Sequence, residues 1–165
     1  MSQPTTSTLA AQPSVETTPP HCPASHLVTH LEVIRWETAD PAQFDFRSSY
    51  VERYWLALLG PSTLWLMRRL SRGLEEFPSG FRINLQETSR ALGLGSSTSK
   101  SSSLQRTIER ALQFSLLYRV TDVRVAAKTQ VPLLNPKQLS RLPESLQHAH
   151  DDWVHAHLDD PYRFG

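Results

Sequence analysis

The chain has 165 residues, of which 39% are hydrophobic and 20% charged, and a net charge of +1. That length suits one domain of ordinary size, and no apolar run approaches the roughly 18 residues that a membrane-spanning helix requires. Cys22 is the only cysteine, which excludes an internal disulfide and a cysteine-built zinc site.

The charge is unevenly spread. Met1 to Gly60 carries three Lys/Arg against six Asp/Glu, Pro61 to Lys128 eleven against five, and Thr129 to Gly165 three against five. A basic middle between acidic flanks is where an anionic partner would bind, or where arginines solvate helix surfaces. The opening MSQPTTSTLAAQPSVETTPP has no basic start and no apolar core, so it does not read as a secretory signal. A cytoplasmic location is expected, at the nucleoid if the protein binds DNA.

In chain order, residues 1–24 are rich in Thr, Ser and Pro and read as a disordered tail. HLVTHLEVIRW (His26 to Trp36) reads as a strand or a segment packed on one, and ETADPAQFD (Glu37 to Asp45) as a loop. In Phe46 to Gly60, Tyr50, Tyr54 and Leu58 recur at steps of four, which predicts a helix with an aromatic face stopped by Gly60. Pro61 opens a second amphipathic helix. Leu66, Leu70 and Leu74 form its apolar side with Met67 and Phe77, and Arg68, Arg69 and Arg72 line its other face.

FRINL (Phe81 to Leu85) alternates as a short strand. QETSRALGLG (Gln86 to Gly95) is a short helix with Ala91 and Leu92 inward and Gly93 or Gly95 as its left-handed stop. SSTSKSSS (Ser96 to Ser103) is a polar bridge. Leu104, Ile108, Leu112 and Leu116 then predict a helix over Leu104 to Leu117. Tyr118 to Lys128 forms two alternating runs turning at Thr121-Asp122. A helix starts near Asn135, with Pro136 first and Gln138 at the capping-box position. Pro143 kinks or restarts it, and Leu146, Trp153 and Val154 are the expected buried residues beyond.

The order helix, short strand, helix, turn, helix, hairpin over about 70 residues resembles the winged helix-turn-helix superfamily. The strand FRINL, the ETSRALGLG helix and LQRTIERALQFSLLYRV carry the resemblance. YWLALLGPSTLWLMRRL is also loosely similar to the N-terminal domain of DnaD-type replication initiators. The fold expected is thus α+β. It comprises the tail 1–24, an N-terminal strand and aromatic helix over 25–60, a winged helix-turn-helix over 61–130 and a C-terminal helical extension over 131–165.

The resemblance implies a DNA-binding protein, a transcriptional regulator or a replication or plasmid-maintenance factor, with Leu104 to Leu117 entering the major groove. Its outward face is then Ser103, Arg106, Thr107, Arg110 and Gln113. Arginine can take guanine O6 and N7 in two bonds and glutamine can take adenine; the alternative for the same face is a solvated surface, which Glu109 beside the arginines would suit. Arg90, Lys100 and Arg124 would hold phosphates. The serine bridge is either a phosphate cradle at a helix N-terminus or a solvated loop, with one of Ser101, Ser102 and Ser103 as the cap. The facing of Tyr118, Arg119 and Val120 is open.

A second reading is a winged-helix adaptor without DNA, recognising a protein through Trp55, Trp65 or Trp153. The aromatic helix would suit a homodimer interface or the core, and the C-terminal helices another partner. Catalysis is not expected, because no phosphate loop, nucleophile elbow or triad spacing occurs. In HAHDDWVHAH (His148 to His157), His148/Asp152 and Asp151/His155 have ligand-like spacing. No third ligand joins them, so neither metal nor cofactor is expected.

Overall fold

The computed structural model describes residues 28–37, 43–97, 99 and 101–158. The expected tail 1–24 and the phosphate candidate Lys100 lie outside the described residues. The chain is α+β. It runs through β1 (His30–Arg35), β2 (Gln43–Asp45), a π-helical stretch Val51–Trp55 that continues as α1 (Leu56–Leu59), and α2 (Pro61–Glu76). There follow β3 (Phe81–Asn84), α3 (Leu85–Ala91), α4 (Ser103–Gln113), β4 (Leu117–Thr121), β5 (Arg124–Ala127) and β6 (Gln130–Pro132). α5 (Pro136–Leu139) and α6 (Glu144–Leu158) complete the series.

Four strands form one sheet in the order β3-β1-β5-β4. β1 pairs antiparallel with β3, setting Leu31 opposite Ile83, and parallel with β5, setting Val33 opposite Val125. The N-terminal strand therefore occupies the interior of the sheet, between β3 and the β4–β5 hairpin. Leu31, Val33, Val125 and Ala127 are buried, as an alternating strand with one covered face requires. α2 covers that face, with Leu66, Met67, Leu70 and Leu74 all buried.

α2 starts cleanly for two reasons. Gly60 holds φ at 75°, the left-handed region that suits a residue without a Cβ, and Pro61 supplies the fixed φ of a first helical turn. Further along, a Cβ on Gly73 would collide with the ring of Phe81, so the missing side chain lets β3 approach the helix.

α3 closes as foreseen by a left-handed residue. Gly93 has φ 69°, Leu94 N–H donates to the Ser89 carbonyl and Gly93 N–H to the Arg90 carbonyl. The capping box at Asn135 is present with both of its bonds, and the helix restarts after Pro143.

Several expectations are corrected. The helix expected from Leu104 to Leu117 ends at Gln113. Ser115 takes φ 54°, Leu116 N–H returns to the Ala111 carbonyl, and Leu117 already belongs to β4. Its N-cap is Ser102, whose Oγ accepts from Gln105 N–H at 3.2 Å, with Ser103 inside the first turn. The aromatic helix begins later than Phe46, because Phe46 turns out of β2.

The expected loop before it contains β2, and the expected C-terminal helical extension opens with β6. These two three-residue strands pair, with Phe44 opposite Val131. The hairpin turns at Asp122-Val123, one residue later than expected, with a register shift between Arg119 and Thr121. Ala91 and Phe77 are exposed, since each lies at the end of its helix beyond the covered stripe.

The aromatic face is core. Trp55, Tyr50, Tyr54 and Phe46 are among the largest fully buried side chains, each contributing about 1.5–3 kcal/mol by burial. Trp153 of α6 packs on them, its ring 4.7 Å from Tyr50 and 5.5 Å from Phe44. Trp55 donates from Nε1 to the Pro132 carbonyl at 3.2 Å, and Tyr54 from its hydroxyl to the Ala149 carbonyl at 2.8 Å. Tyr50, Tyr54 and Trp55 therefore leave no surface for a second copy or a partner.

Candidate functional site

α4 is the element on which the expected site residues converge. Leu104, Ile108 and Ala111 are buried on its inner side. Ser103, Arg106, Arg110 and Gln113 follow one another at steps of three, four and three, and all four are exposed. They form one outward stripe about three turns long. Arg106 makes no ion pair among the described residues, while Glu109 beside it is hydrogen-bonded by Gln105 Nε2 at 3.3 Å.

Two of the expected face residues depart from that role. Thr107 is 6% exposed and gives its hydroxyl hydrogen to the Ser103 carbonyl at 2.8 Å, so it points to the core side and offers nothing to a ligand. The reason is geometric: position 107 lies three residues after Leu104 and four before Ala111, on their stripe. Arg110 is exposed, but its Nε and Nη2 both donate to the Leu58 carbonyl, at 3.2 and 2.9 Å. Leu58 lies in the last turn of α1, where carbonyls lack intrahelical partners, and Arg110 satisfies one of them.

At the N-terminal end of α4 the serine bridge folds on itself. Ser97 and Ser99 share a hydroxyl contact at 3.2 Å, Ser99 and Ser101 another at 3.4 Å, and Ser102 N–H donates to the Ser99 carbonyl. The bridge delivers Ser102 as cap and leaves Ser101 and Ser103 exposed beside the positive end of the helix.

The remaining candidates are dispersed. Arg90 is exposed in the last turn of α3, which packs against α4. Arg124 is on β5 and reaches across to β1, donating to both carboxylate oxygens of Glu32 at 2.8 and 3.1 Å. That pairing follows from the register, which sets Glu32 opposite Arg124, and it raises the guanidinium's pKa.

On the hairpin, Tyr118, Val120 and Val123 are exposed. Tyr118 packs against Trp36 at 5.7 Å, and Lys128 lies over the same indole at 5.0 Å.

Sequence reasoning did not single out the polar centre of the aromatic core. Leu134 N–H donates to the Tyr50 hydroxyl at 2.9 Å, and that hydroxyl is 3.0 Å from His150 Nε2. The Tyr50 hydroxyl thus joins the Leu134 backbone to the histidine, and which of the two rings donates across the 3.0 Å contact follows the histidine's tautomer. Among the described residues Nδ1 has no hydrogen-bond partner, and it lies 3.8 Å from an Asp151 carboxylate oxygen. Burial pushes the Tyr50 hydroxyl up to about 12 and holds the His150 ring below its ordinary value, against the pull of Asp151.

Reasoning from sequence also missed a groove of about 430 Å³ between the C-terminal half of α2, β3 and α3, with Arg69, Arg72 and Arg82 among the residues that line it. The alternation of FRIN, which turns Arg82 away from Ile83, is the signal that could have found it. Among the described residues no group of three or more His, Cys, Asp or Glu side chains comes together to hold a metal ion. No helix there is long and apolar enough to cross a membrane.

Comparison of the chain with protein-family models, with curated proteins and with solved structures finds no match in any of the three.

Proposed function

We propose that the chain is a winged helix-turn-helix protein that binds double-stranded DNA, with α4 as the helix presented to the major groove. The order α2, β3, α3, α4, β4, β5 supports the fold assignment. The observation that carries the functional reading is the exposed stripe Ser103, Arg106, Arg110, Gln113 on a helix whose other side is buried.

Arg106 reads guanine in two bonds, Gln113 reads adenine, and Ser103 with the exposed serines at the helix start takes a phosphate. Arg110 fixes the helix against α1 and offers its remaining N–H groups to the backbone. Site-specific binding of this kind serves transcription regulation or replication and plasmid maintenance. Selection of duplexes from a random pool tests the reading. An enriched sequence that loses its preference at one base position in Arg106→Ala supports it, and a pool that stays random opposes it.

The second reading, an adaptor that binds protein rather than DNA, is favoured by Tyr118, Val120 and Val123, exposed on the hairpin at one edge of the sheet. It predicts passage through a heparin column at moderate salt, where the DNA reading predicts retention.

A further inference from the structure

We infer that the chain carries a second nucleic-acid surface, a stripe and groove on α2, β3 and α3 that binds a single strand. Two separate observations point there. The first is the groove, about 430 Å³, with Arg69, Arg72 and Arg82 on its walls. Arg72 is held by Glu76 at 3.1 Å. Arg69 and Arg82 are exposed and pair with no carboxylate among the described residues. Glu87, in the first turn of α3, is the other acid at the groove, so the arginines outnumber the carboxylates three to two.

The second observation is aromatic. Trp65 and Phe77 are 58% and 55% exposed, whereas Tyr54 and Trp55 in the π-helical stretch before α1 are buried. Trp65, Arg69 and Arg72 recur at steps of four and three, so they share one face of α2. Phe77 stands at the end of that helix and at the groove, its ring 6.4 Å from that of Phe81. Trp65 and Phe77 thus bracket the arginines over about 18 Å along the helix axis.

Two stacking surfaces with guanidinium groups between them match an unpaired strand, whose bases expose π faces and whose backbone carries one charge per nucleotide. A duplex hides its base faces in the stack, so an exposed indole gains nothing from it. Arg68 lies over the Trp65 ring at 5.2 Å and steadies it where it stands. Charge excludes a cationic or purely apolar occupant; an acidic peptide satisfies the arginines but leaves both aromatic rings without a flat partner.

This inference stands apart from the proposal for α4, and one experiment separates them. The full chain is titrated against a fluorescein-labelled oligothymidine strand and a labelled duplex hairpin, by anisotropy, as wild type, as Arg69→Ala/Arg82→Ala and as Arg106→Ala/Gln113→Ala. Tryptophan fluorescence is read in parallel for wild type and Trp65→Phe. The groove variant should bind the single strand at least about tenfold more weakly while keeping its duplex affinity, and the α4 variant should behave in reverse. The single strand should quench wild-type tryptophan emission, and Trp65→Phe should lose that quenching. The inference is overturned if oligothymidine does not bind at low salt, if the groove variant binds it normally, or if both nucleic acids weaken together. It is overturned in favour of an acidic protein partner if polyglutamate binds wild type more tightly than oligothymidine and shares its dependence on Arg69 and Arg82.

Discussion

Arg110 on α4 donates twice to the carbonyl of Leu58, at 3.2 and 2.9 Å, and so ties α4 to the last turn of α1. The bond answers a local need. Gly60 and Pro61 break the helix, and the Leu58 carbonyl loses the N–H that a continuing helix would bring to it. Arg110→Ala should therefore cost stability of about 1 kcal/mol, discounted for exposure. Arg106→Ala should leave the urea midpoint unchanged. Equal midpoints for the two variants would show that the Leu58 bond contributes nothing.

Tyr50 serves two partners at once, the Leu134 N–H and the His150 Nε2. Tyr50→Phe keeps the ring packing on Phe44 and Trp153 but leaves both partners buried and unsatisfied. Urea unfolding should show a loss of about 2–3 kcal/mol with little change in slope. A loss under about 0.5 kcal/mol would mean that water replaces the hydroxyl.

The same cluster makes stability depend on pH. His150 is 3% exposed, and burial sets its folded pKa below the ordinary 6.5. As pH falls through about 6.5, the unfolded chain takes up the proton first, so the contribution is complete above that pH and is lost toward the depressed folded value. Asp151, whose carboxylate oxygen lies 3.8 Å from Nδ1, opposes this shift without cancelling it. The urea midpoint should fall between about pH 7.5 and about pH 5.5, and His150→Gln should flatten that fall. An equal slope in both proteins would assign it to other groups.

Gly73→Ala is harmless to helix propensity but places a methyl against the Phe81 ring. The clash should destabilise by about 1–3 kcal/mol, despite the gain of up to about 1 kcal/mol that alanine brings to a helix. Adding Phe81→Leu should recover part of the loss. A more stable Gly73→Ala would show that β3 can retreat from α2.

Much of this architecture can be read from local pattern. Leu66, Leu70 and Leu74 announce α2, the Asn135 box and Pro136 announce α5, and Gly93 stops α3, because each signal is complete within one turn of chain. Strand partners are not local. HLEVIR alternates as a strand should, yet nothing in it says that it will lie between β3 and β5. The three-residue strands β2 and β6 are too short to show a period.

At the site, Arg106 and Gln113 were legible from helical spacing. The polarity of Thr107 suggests an outward residue, but its position between Leu104 and Ala111 puts it on the buried side. The bond from Arg110 to Leu58 joins residues 52 apart in sequence, and no local pattern encodes it.

The central claim is that α4 reads duplex DNA, and a salt series of fluorescence anisotropy titrations tests it most directly. Wild type and Arg106→Ala/Gln113→Ala would each be titrated with the duplex recovered by selection. The account predicts wild-type binding that weakens steeply with salt, and a variant that folds normally but binds at least about tenfold more weakly. Indistinguishable curves for the two proteins, or no wild-type binding at low salt, would contradict it.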